Sequence, residues 1–113
     1  MNEIIVFSDF EKVAMHVGKI IDVKPNEKAI IPAYILQIDF GAEIGIKISS
    51  AQLTVNYQPI DLLNKHVVCV INFAPKRVAG VKSEVLVLGA VSETLGTKLL
   101  FVDDPVELGS KVS

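Results

Sequence analysis

From Tyr34 to Phe40 the chain alternates strictly, with Tyr34, Leu36, Ile38 and Phe40 on one side and Gln37 and Asp39 on the other. A period of two predicts a strand with one buried and one wet face. Ile44, Ile46 and Ile48 carry the alternation past a turn at Gly41, which predicts a second strand with Lys47 on its outer face. Upstream, the β-branched residues Val17, Ile20, Ile21 and Val23 predict a strand from His16 to Lys24, with Gly18 permitting a bend. Ser8 and Glu11 have the spacing of a capping box and predict one or two helical turns toward Met15. The stretches "VVCVINF" and "EVLVLGA" are apolar at nearly every position, as expected of central strands covered on both faces. Residues 49–65 lose the alternation and contain Pro59, which predicts a turn and a short helix over Ile60 to Leu63. Pro25 and Pro32 bound one connection, and a second, from Ala74 to Lys82, is longer than most hairpin loops.

Five short strands with a helix between the third and fourth predict an all-β fold, a barrel of the oligonucleotide/oligosaccharide-binding type. Such barrels use an open strand face and its flanking loops to hold extended polymers. The length of 113 residues fits one domain spanning 1–113. Hydrophobic residues make up 50% of the sequence, more than one small core absorbs, which places some apolar surface between subunits. The apolar run from Val85 to Val91 is too short for a membrane helix, and the N-terminus has no secretory pattern, so a cytoplasmic protein without membrane insertion is expected.

Charge changes this picture. The formal net charge is -2, which argues against a nonspecific polyanion binder, yet the distribution is uneven. Residues 1–43 hold four lysines against seven acids and residues 84–113 hold two against five, while between them Lys47, Lys65, Lys76, Arg77 and Lys82 face only Asp61. Lys76, the single arginine Arg77, and Lys82 fall in one connection, "NFAPKRVAGVKSE". Solvation alone could account for three cations there. Pro75 stiffens the segment, Gly80 allows close backbone approach, and Asn72 and Ser83 supply hydrogen-bonding groups at its mouths. A guanidinium also suits phosphate or carboxylate and stacks on a base. Lys47, Ser49, Ser50 and Gln52 are expected to extend this polar surface from the third strand.

Catalysis finds little support. His16 and His66 lie fifty residues apart with no partner at metal-ligand spacing. Cys69 has the parity of Val67, Ile71 and Phe73, as an inert core thiol would. Ser83 is not followed by the glycine of a nucleophile elbow, and the glycines form no phosphate loop. No metal or other cofactor is expected.

The stretches "IDFGAEIGIKISSAQ" (38–52), "INFAPKRVAGVKSEVLVLGA" (71–90) and the closing "PVELGSKV" resemble the dimeric tRNA-binding domain family, found free and as an appendage of methionyl-tRNA synthetases. They resemble more closely its CsaA-type branch of protein-export chaperones. Ala51-Gln52-Leu53 stands where the synthetase appendages tend to read Ser-Gly followed by Ile or Leu, and Val85-Leu86 where they read Gly-Met; both follow the CsaA-type pattern. The resemblance implies a homodimer contacting through the N-terminal helix and the C-terminal tail. It also aligns Lys76 and Arg77 with the basic pair of the tRNA-binding branch, and Lys47 with a position usually held by arginine there. Two ligands follow. An unfolded preprotein or peptide would lie on apolar surface with a basic rim. In the alternative, tRNA or another RNA would be gripped through backbone and shape, with a salt slope of about -2 per site if three cations touch phosphates. A dimeric scaffold with neither ligand is the blander third reading.

Overall fold

The protein is described by a computed structural model covering residues 2–113. The element order is α1 (Phe7–Glu11), β1 (Met15–Pro25), β2 (Tyr34–Asp39), β3 (Ile46–Ala51), α2 (Pro59–Leu62), β4 (His66–Val70), β5 (Lys76–Val78), β6 (Val81–Ser83), β7 (Leu86–Val87), β8 (Gly89–Ser92), β9 (Gly96–Leu99) and β10 (Lys111–Val112). Strands order β3-β2-β1-β4-β7 in one antiparallel sheet, with β10 added beside β1. The sheet curls into a nearly closed five-stranded barrel of the expected type. The seam between its ends is held by Glu84 N–H donating to Ile48 O at 2.7 Å, Ile48 N–H to Glu84 Oε1 at 3.1 Å, and Ser50 N–H to Ser83 Oγ at 3.1 Å.

The alternation of β2 is realised as written: Tyr34, Leu36, Ile38 and Phe40 are buried and meet Ile20, Leu53, Leu62, Val67, Cys69 and Val85 in one core. Two phenols are satisfied as burial requires, Tyr34 OH donating to Tyr57 O at 2.8 Å and Tyr57 OH accepting from Leu99 N–H at 3.0 Å. α2 begins on its proline and drives Leu62 into the barrel end, the short plug expected between the third and fourth barrel strands.

Several expectations need correction. The helix cap is Val6 rather than Ser8, and the reciprocal carboxylate is Asp9, whose Oδ2 accepts from Val6 N–H at 3.2 Å. Gly18 is not the bend in β1; the register shift lies between Ile20 and Asp22. A Cβ at Gly18 would stand 2.5 Å from Ile38 Cγ2, so that glycine makes room for the ring of Phe40 and its neighbour. The "EVLVLGA" stretch is not a second central strand: it splits into β7 and β8, with only Val85 sunk in the core and Leu86 exposed. β4 alone is covered throughout.

The phase of β3 is also inverted. Ile38 pairs with Lys47 and Leu36 with Ser49, and directly opposed residues point to the same side. Lys47, Ser49 and Ala51 therefore share the core-side face, while Ile46 is 56% exposed on the outside. The turn after Phe40, closed by Gly45 N–H to Gly41 O at 2.7 Å, sets a register one residue away from simple continuation of the alternation, and one residue flips every side chain.

Candidate functional site

The basic connection is itself a hairpin. Ala79 and Gly80 have φ of 46° and 82°, the two positive values that a tight two-residue hairpin turn demands, so β5 and β6 pair immediately on either side. Pairing splits the charges. Lys76 opposes Ser83 and shares its face, whereas Arg77 opposes Lys82 on the other. Adjacent cations in the sequence thus serve two surfaces.

The Lys76 face borders a cleft of about 390 Å³ between the hairpin, β3 and the start of β7. Phe73, 58% exposed, and Leu86 form apolar walls with Val78, and Ser50 and Ser83 add the hydroxyl edge. Glu84 also reaches this cleft, but its Oε1 is engaged by Ile48 N–H. A second cleft of about 380 Å³ shares Ser50 and Val78 and continues past Gln52 to Lys28, Ile30 and Ile31 in the connection between β1 and β2. Asn26, buried in that connection, aims its Nδ2 at Ala79 O, 3.5 Å away, so the two connections face one another.

Among the described residues the only ion pairs are Lys12 with Asp9 and Lys24 with Asp22. Lys76, Arg77 and Lys82 are exposed and form no ion pair among the described residues. Arg77 is oriented instead by donating from Nη1 to Gly80 O at 3.1 Å.

Of the residues expected at a groove, Ser50, Lys76 and Ser83 meet at the first cleft, and Gln52 joins Ser50 at the second. Ser49 does not join them: it is 1% exposed on the core side, so no ligand on the barrel surface can reach it. Lys47, half-buried, sits on that same side rather than the outer one. Asn72 has both ends of its amide committed, Oδ1 accepting from Ala14 N–H at 3.0 Å and Nδ2 donating to Lys12 O at 2.7 Å, so it ties the N-terminal segment to the end of β4. Phe73 and Leu86 escaped the sequence reading because both lie within apolar runs that look like core. Lys28, Ile30 and Ile31 carried no signal, since only folding brings them to the hairpin.

Cys69 is enclosed in the core, and desolvation by burial pushes its thiol up to about 12 from 9.0. The neutral thiol is the folded form, so its contribution to stability is complete below 9.0 and is lost as pH rises from 9.0 to about 12, the window in which the thiol ionises in the unfolded chain but not in the folded one. A disulfide-exchange reagent at pH 8 should therefore leave Cys69 unmodified in the native protein and label it fully in denaturant; rapid native labelling would contradict its burial. Among the described residues, no group of three or more His, Cys, Asp or Glu side chains is placed to hold a metal ion.

A family model described as a putative tRNA binding domain matches residues 15–111. The fold is similar to a solved CsaA chaperone protein from Picrophilus torridus, with 47% identity and a TM-score of 0.91 over 97% of this chain and 100% of that one. It is likewise similar to a chaperone CsaA from Bacillus anthracis, with 44% identity and a TM-score of 0.92 over 98% and 100% of the two chains. A methionine–tRNA ligase from Pyrococcus horikoshii is 40% identical over 97% of this chain, which spans only 15% of that ligase.

Proposed function

Because this chain belongs to the tRNA-binding domain family, we propose that it is a non-catalytic, homodimeric binding module of the CsaA kind that holds extended segments of unfolded polypeptide in the cleft beside the β5–β6 hairpin. The observation that carries this reading is the company Lys76 keeps. Its face of the hairpin opens onto Phe73, Val78 and Leu86, an apolar surface with a single cationic edge, which suits apolar side chains interspersed with acids. Similarity to two CsaA chaperones across their whole length supports the same ligand class. The homodimer is supported by the N-terminal run Ile4 to Phe7, whose large apolar side chains lie open to solvent and would find cover in a second copy.

Fluorescence anisotropy with a labelled unfolded preprotein tests the assignment. Phe73→Ala and Lys76→Ala are each expected to weaken binding about tenfold, as loss of a central apolar anchor or of a charge-assisted contact does. Arg77→Ala should leave it within about twofold, being on the other face. If Arg77→Ala weakens preprotein binding as much as Phe73→Ala, the cleft is not the site.

A specific observation favours RNA as a second ligand on that other face. Arg77 and Lys82 lie directly across the strand pair with no carboxylate between them, an arrangement that costs stability. A phosphate seated over the pair would relieve the repulsion and meet the guanidinium fork.

A further inference from the structure

The two clefts share Ser50, and there the barrel seam changes character. Because Ile48 spends its N–H and C=O outward on Glu84, the outward-facing backbone of β3 belongs to Ile46, Ile48 and Ser50, and Lys47, Ser49 and Ala51 bond to β2. Ser50 N–H donates to Ser83 Oγ, the last bond of the seam. Beyond it, among the described residues, Ser50 C=O and Gln52 N–H have no hydrogen-bonding partner in the protein, and both border the second cleft. Gln52 itself is held in a tight turn by Leu53 N–H to Ala51 O at 3.1 Å, which keeps its own N–H directed away from β2.

Building on the polypeptide reading above, we infer that a bound segment enters this gap as an added β-strand, pairing with the Ser50–Gln52 edge of β3 between the β1–β2 connection and the hairpin. An extended peptide is the occupant whose backbone matches the edge: one N–H for Ser50 C=O and one C=O for Gln52 N–H. A parallel strand satisfies both from a single residue, with no call on the Ser50 N–H that Ser83 already holds. Alternate ligand side chains then rest on Ile31 and Val78, whose surfaces line the cleft. Lys28, unpaired with any carboxylate among the described residues, stands beside the entry for an acidic ligand residue. Main-chain pairing supplies affinity without demanding a sequence, as binding of many unfolded segments requires.

The test uses the full chain and a synthetic, end-blocked ten-residue peptide with one central Val-Ile pair and flanking acids. Its backbone amides are replaced by esters one at a time, which removes a donor without adding bulk. Affinity is expected to fall at least tenfold for one central ester, or for two spaced two residues apart, with intervening esters within twofold of the parent. Hydrogen exchange at Gln52 N–H is expected to slow at least tenfold on saturation. A flat ester profile, or unchanged exchange at Gln52 with the parent peptide bound, overturns strand addition and leaves the polypeptide reading standing. Failure of the unmodified peptide and of unfolded preprotein to bind at all overturns that reading, and strand addition with it.

Discussion

Gly109→Ala is expected to destabilise the folded chain by about 2–5 kcal/mol, combining about 1–3 for overpacking with about 1–2 for forcing a left-handed backbone on a side chain. A Cβ at this position would lie 2.5 Å from Phe40 O, and the residue has φ of +88°. Phe40 O cannot yield cheaply, because it is backbone rather than a side-chain tip. Gly41, with φ of +89°, is pressed in turn against Leu108 O, so two glycines let the C-terminal segment cross the end of β2 at van der Waals distance. The consequence spreads through hydrogen bonds: Gly109 N–H donates to Val17 O at 2.8 Å, Val17 N–H to Ser110 O at 2.9 Å, and His16 Nδ1 to Gly109 O at 2.7 Å. Displacing Gly109 loosens all three and with them β10. Urea unfolding should show the loss, and hydrogen exchange at Val17 should accelerate. A variant as stable as the parent would mean that the crossing is slack.

Replacing Arg77 and Lys82 together with alanine is expected to lower tRNA affinity by about a hundredfold, roughly tenfold for each lost charge-assisted contact. The magnitude of the salt slope should fall by about 1.4 at the same time, from about 0.7 per phosphate contact on single strands. Stability should change by less than about 0.5 kcal/mol, because both side chains are exposed and their removal also ends a cross-strand repulsion. Preprotein binding should be retained, since neither side chain shares the face of Lys76 or lines the cleft that Phe73 walls. Filter binding with tRNA at two salt concentrations, beside preprotein anisotropy, separates the ligands. Parallel loss of both would join the two faces into one site; undiminished tRNA binding would remove the RNA reading.

Much of the fold could be read from local signals. The alternation of Tyr34 to Phe40, the β-branched run ahead of it and the continuous apolar run of β4 each describe their own environment, and the structure places each accordingly. The cationic connection was equally plain in the sequence. Its two-facedness was not, because Lys76 and Arg77 part only once the chain reverses at Ala79 and Gly80 and a ladder forms. "AG" at a turn of this type is less telling than "NG", since alanine pays a steric cost at positive φ that asparagine largely avoids. Ser49 and Lys47 were misplaced for a related reason: the alternation survives across Gly41 to Gly45, but its phase depends on the backbone path of that turn.

By itself, then, the sequence determined where the strands β1 to β4 lie, where the plug helix falls, and that a core thiol and a concentrated group of cations exist. These are properties of side chains and backbone preferences within a few residues of one another. Only the tertiary structure decided which face each cation serves, that Lys28, Ile30 and Ile31 meet the hairpin, and that the β3 edge is left open at Ser50 and Gln52. Those outcomes depend on pairing register and on contacts between residues far apart in the chain, and a shift of one position in register exchanges inside for outside without altering the local pattern.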